Sequence, residues 1–172
     1  SWTIGASGYA VCYDVLYNHM SRDQREVARD AIAAGTKGRR PYGSGMPIGF
    51  ASSNHYGYHG DLAVLLCANE GEPGSDRETF EVITQILRDY WDVGFTARGA
   101  CHEDGYGPNL GMRGGGRGLM ALARRDMNIF ATEKFRNLID WLALEYEPFP
   151  GGVFVGGASG AHYKIMYPTS TL

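Results

Sequence analysis

YDVLYNHMSRDQREVARDAIAAG, residues 13–35, sets the architecture. Its first part closes an apolar helix predicted over residues 8–20. On that helix Val11, Val15 and Leu16 share one face, and Tyr9, Cys12 and Tyr13 extend it. SRDQ at 21–24 is a capping box, in which Ser21 accepts from the N3 amide and Gln24 reaches back to the cap. It starts a second helix that runs to about Ala34 and stops at Gly35. Two helices joined by so short a link form an antiparallel hairpin.

The same grammar recurs along the chain. A third helix is expected over 56–69. SDRE at 75–78, just after Pro73-Gly74, is a second capping box opening a helix through about Val93, with Phe80, Ile83, Leu87, Tyr90 and Trp91 inward. A fifth helix is expected over 113–125. A sixth runs from Thr132 to Tyr146, with Phe135, Leu138, Ile139 and Leu142 as its apolar stripe. GGVFVGG at 151–157 is the one stretch with strand character. The fold class is therefore all-α: antiparallel helical hairpins within a single domain over 1–172. Connections near 21, 70–75 and 126–131 are short, whereas those at 36–53, 94–112 and 147–160 are long and glycine-rich. Antiparallel helices put every second connection at the same end, so the three long loops gather on one face. The hairpins recur at roughly 50-residue intervals.

Composition narrows the function classes. A net charge of −3 and the lack of any Lys/Arg run give no electrostatic case for nucleic acid or a membrane surface. No apolar run reaches the roughly 18–20 residues that span a bilayer. Cys12, Cys67 and Cys101 have no metal-type spacing, and three thiols cannot all pair with one another. Cys12 and Cys67 read as small hydrophobes in apolar helices. A zinc site built on Cys101, His102 and Cys67 is scattered and incomplete, so no metal is expected.

The long-loop face collects the unusual side chains. SSNHYGYHGDLAVLLC, 52–67, crowds Asn54, His55, Tyr56, Tyr58 and His59 at the entrance to an apolar helix. Asn54 is a good helix cap and His55 alone reads as a packed histidine. Together, an amide and an imidazole can bind a carboxylate and take a proton. HEDGYGPN, 102–109, is turn chemistry at Asp104-Gly105, and that turn would present Tyr106 from between glycines. Arg113 and Arg117 are either solvated helix-start arginines or bidentate donors for carboxylate or sulfate. GMRGGGRG, 111–118, lacks the ending of a phosphate loop; its glycines suit close helix packing or a backbone approached by substrate. His162 and Tyr163 follow the third long loop.

YDVLYNHMSRDQREVARDAI, then SNHYGYHGDLAVLLC, then EDGY, in this order, resemble the α/α-toroid domain of heparinase II/III-like polysaccharide lyases, a group that includes alginate and heparin lyases. The resemblance covers roughly residues 9–125. It implies part of an (α/α) toroid, secreted or periplasmic, that cleaves an acidic, uronate-bearing polysaccharide by β-elimination without a cofactor. It further implies that Asn54 and His55 neutralise the uronate carboxylate, with His55 also a base, and that Tyr106 is the acid/base tyrosine. Tyr56, Tyr58, His59, His102, Arg113, Arg117 and His162 are then the expected substrate contacts. The family's toroid usually has more hairpins than three, so a further domain or chain would complete it. Uronyl C5-epimerisation and non-catalytic carbohydrate binding are the competing readings. A glycoside hydrolase would need two opposed carboxylates, and only Glu103 and Asp104 offer themselves.

Overall fold

The computed structural model describes residues 3–37, 54–57, 59–102, 112–125, 127–149 and 152–155. Among the described residues seven α-helices run in chain order: α1 (Thr3–Leu16), α2 (Arg22–Thr36), α3 (Asn54–Gly57), α4 (Gly60–Ala68), α5 (Arg77–Gly94), α6 (Met112–Leu122) and α7 (Glu133–Glu145). A short antiparallel hairpin follows, β1 (Tyr146–Phe149) paired with β2 (Gly152–Val155). The described chain is thus mostly helical, and the GGVFVGG stretch does supply a strand.

Each outer helix begins on a side-chain cap. At Ser21 both arms of the capping box form: Gln24 N donates to Ser21 Oγ at 3.2 Å, and Ser21 N donates to Gln24 Oε1 at 2.8 Å. α5 is capped by Asp76 rather than Ser75, with Thr79 N donating to Asp76 Oδ1 at 3.0 Å. The longer carboxylate reaches the amide and also accepts from the Thr79 hydroxyl at 2.8 Å. Before α7, Phe135 N donates to Thr132 Oγ1 at 3.2 Å. Ser21, Asp76 and Thr132 are spaced by about 55 residues, the length of one hairpin repeat.

The cross-contacts obey the same interval. Tyr17 donates to Glu72 across 55 positions, Arg125 pairs with Glu70 across 55, and Arg117 pairs with Asp61 across 56. Gly60 at the start of α4 meets Gly114 near the start of α6, and Cys67 near the end of α4 accepts from Arg125 just after α6. α4 and α6 are therefore parallel. Ser7 bonds Asp61 while Tyr17 bonds Glu72, so α1 is parallel to them too. These three form an inner layer with α4 in the middle; α2 and α5 are the return strokes of their hairpins, and α7 follows α6 in the same order.

The α4–α6 contact depends on glycine. A Cβ at Gly60 would overlap the Gly114 carbonyl, and one at Gly118 would lie 2.5 Å from the Gly60 Cα. Close packing, the first of the two readings of GMRGGGRG, accounts for these positions. Around them Ile83, Leu87, Tyr90, Leu119 and Leu122 are essentially sealed from solvent.

Four boundary or face expectations change. The third predicted helix is divided into α3, ending at Gly57, and α4, starting at Gly60 after a turn at His59. α1 starts earlier, at Thr3, and ends at Leu16 in a single 3-10 turn over Tyr17–His19. Its buried face is Ser7, Ala10 and Tyr13, while Val11, Val15, Leu16 and Cys12 are exposed. Periodicity located an apolar face but not which face α4 covers. On α7, Leu138 is buried but Ile139 is 47 % exposed.

Candidate functional site

Parallel inner helices bring their starts to one end of the layer. α3 lies at that end, packed against both α5 and α6. Gly57 approaches Gly115 so closely that a Cβ on Gly115 would sit 3.1 Å from the Gly57 Cα and 3.1 Å from the Tyr90 ring. α5 runs the other way and finishes there. Beyond it the chain turns through Thr96–Ala100, closed by Thr96 N donating to Ala100 O at 2.8 Å and by the Phe95–Cys101 bridge. Gly99, at φ 82°, stands where a Cβ would strike the α7 backbone at Leu138. His102 follows, exposed, with its amide donating to Gly94 O at 3.0 Å.

At this end α4 and α6 are joined by a buried carboxylate. Asp61, in the first turn of α4, has a side chain 3 % exposed, whereas the Arg117 side chain is 40 % exposed. Arg117 Nε lies 3.2 Å from Asp61 Oδ1, and Arg117 Nη2 donates to Oδ2 at 3.2 Å. The Nε contact is an ion pair without hydrogen-bond alignment. Burial pushes the Asp61 carboxyl above its ordinary 3.8, against the opposing pull of the Ser7 hydrogen bond and the Arg117 charge. Sequence reading passed over Asp61 as part of the helix body. Its signal was present: a lone acid in the otherwise apolar GDLAVLLCA, where a charge needs a partner.

The structure places the expected site residues unequally. Asn54 and His55 open α3, and Arg113 lies in the first turn of α6. Tyr56 is only 3 % exposed and belongs to the core; burial, then the Asp89 charge, raise its hydroxyl above the ordinary 10.0. His59 is buried at the α3–α4 break, 7 % exposed. Both rings are thus buried here rather than open to solvent. Arg117 is paired with Asp61, with part of its guanidinium still facing solvent. Tyr58, Tyr106 and His162 lie outside the described residues, as do Glu103, Asp104 and Tyr163.

α6 has no acidic residue in its first turn; Arg113 lies in that turn and Arg117 midway along the helix. A cation in that first turn adds to the positive end of the helix dipole. Among the described residues no group of His, Cys, Asp and Glu is placed to hold a metal ion, and no helix is long and apolar enough to cross a membrane. A separate open cavity of about 500 Å³ lies at the other end of α4, lined by Leu66, Asn69, Ser75 and Phe80. Comparison with known protein families, curated proteins and solved structures finds nothing that matches this chain.

Proposed function

We propose that the chain is part of an (α/α) toroid and serves as a polysaccharide lyase acting on an acidic, uronate-bearing glycan. One observation supports this reading most. The parallel inner layer sets Asn54-His55 of α3 at the same end as the arginine-bearing start of α6. In the proposed reaction Asn54 and His55 neutralise the uronate carboxylate, which makes its C5 proton more acidic. His55 or Tyr106 takes that proton, the C4–O4 bond breaks to give a C4=C5 double bond, and Tyr106 protonates the departing O4. Charge builds on the carboxylate in the transition state, so fixed donors stabilise that state more than the ground state. A positioned acid/base group adds about 10²–10⁴-fold.

The test is to incubate the chain with alginate, heparin, hyaluronan and glucuronan and follow the ultraviolet absorbance of the unsaturated product. The expected result is absorbance that falls about a hundredfold or more in His55→Ala and Tyr106→Phe. Deuterium uptake at C5 from heavy water without chain cleavage would replace the lyase with an epimerase. Saturable binding with neither signal would leave a binding module.

A further inference from the structure

α1 and α4 are built alike and used differently. Both are strongly apolar, with a single carboxylate each, Asp14 and Asp61, the composition of a helix covered on both flanks. α4 has that cover, from α1 and α6. α1 buries Ser7, Ala10 and Tyr13 and leaves a continuous apolar strip on its other side: Tyr9, Val11, Cys12, Val15 and Leu16. Val11 is 51 % exposed and Val15 66 %. No charged side chain interrupts the strip, because Asp14 falls on the far side of the helical wheel.

Gly8 lies in this strip. A mid-helix glycine weakens a helix by about 0.5–1 kcal/mol relative to alanine, yet a Cβ at Gly8 would meet nothing within 4 Å. Gly118 shows what such a glycine does when its neighbour is present, for it lets α6 close onto Gly60 of α4. Gly8 stands about two repeats before Gly118. Gly8, Val11 and Val15 thus occupy on α1 the places that α6 uses to meet the preceding inner helix.

We infer that this face of α1 docks a second copy of the chain, head to tail, through the edge of α6 turned away from α4. Met120 marks that edge: it lies opposite Gly118 on the helix, one repeat after Val64, and is 47 % exposed. The offsets that relate α1 to α4 and α4 to α6, applied once more, set Met120 of one copy within a turn of Val11 of the next. The contact continues the interface already made twice inside the chain, and a heterologous contact of this kind closes into a ring or extends as a stack. It stands whether or not the glycan reading does.

Sedimentation velocity from low micromolar concentration upward is expected to show a mass that rises to two chains or more. Val11→Glu/Val15→Glu is expected to weaken association roughly tenfold or more, since charges would be buried, with unchanged helical circular dichroism. In a Cys12→Ser background, a chain with Val11→Cys mixed with one carrying Met120→Cys is expected to give mainly the mixed disulfide on oxidation. A monomer at every concentration overturns the inference. So does association untouched by the glutamates, association with another polypeptide in place of self-association, or a Val11→Cys homodisulfide in preference to the mixed one.

Discussion

The two apolar inner helices differ in what glycine does for them. At Gly60 in α4 the neighbouring backbone of α6 fills the place where a side chain would be; at Gly8 in α1 that place is open. The same residue type is a packing requirement in one helix and an unused allowance in the other. The difference lies in position within the stack, not in local composition. Gly60→Ala is the most direct way to break the comparison. Its methyl would meet Gly114 and Gly115 backbone, which cannot rotate away, so a loss of about 3 kcal/mol or more is expected in urea unfolding. Gly8→Ala in the monomer should gain about 0.5–1 kcal/mol. Equal effects at the two sites would mean that α4 and α6 do not approach as described.

The next largest effect concerns the Asp61–Arg117 pair, whose members are buried unequally. Removing the half-exposed arginine strands a buried carboxylate, whereas removing the carboxylate's charge leaves an arginine that can reach water. Arg117→Ala is expected to cost about 2–3 kcal/mol near neutral pH. Because the folded carboxyl of Asp61 titrates above its ordinary 3.8, the folded state binds the proton more tightly than the unfolded chain. Its ionisation therefore lowers stability as pH rises through the folded value, and below 3.8 the penalty is absent. The Arg117→Ala deficit should shrink on acidification. Asp61→Asn should be more stable than the wild type near neutrality, by a margin that also shrinks toward about pH 4. Denaturation midpoints across that range decide it; a deficit independent of pH would remove Asp61 from the explanation.

The Ser21 capping box and the hairpin interval were legible in sequence because they are local, whereas the cap of α5 was read one residue early, at Ser75 in place of Asp76. Ser21 and Gln24 carry their own hydrogen bonds, and the repeat is visible from helix and loop lengths alone. Ile83, Leu87 and Tyr90 were legible because α5 is strongly two-faced. α1 was not, because an apolar residue on every side leaves periodicity no means of choosing the covered face. Asp61 and Arg117 are 56 positions apart, and their pairing depends on the parallel alignment of α4 and α6, which no short window contains. The turn at His59 between α3 and α4 was missed for a related reason. It is set by Gly57 and Gly60 seating on α6, a tertiary contact that overrides a locally continuous helix.

The outer helices provide a graded control, since their caps repeat without the inner layer's burial. Ser21→Ala, Asp76→Ala and Thr132→Ala are each expected to cost about 1 kcal/mol. Asp76 should cost the most, because it accepts from both the amide and the hydroxyl of Thr79. A Ser75→Ala change, at the position the sequence pattern favoured for the cap, should leave thermal unfolding almost unmoved. A larger effect at Ser75 than at Asp76 would reverse the assignment of the cap.

The smallest effect is expected one residue further on. Arg77 donates to Glu81 at 2.8 Å, a well-formed i,i+4 pair, but the two side chains are 89 % and 63 % exposed. Water screens such a pair, and ordering two long side chains offsets most of the attraction, so Arg77→Ala should change stability by no more than about 0.5 kcal/mol. Its N–O distance is shorter than either Asp61–Arg117 distance, yet its removal should matter several-fold less. Thermal melts of the two arginine variants at equal ionic strength test this ordering. Should Arg77→Ala prove the costlier, contact distance rather than burial would rank the ion pairs of this molecule.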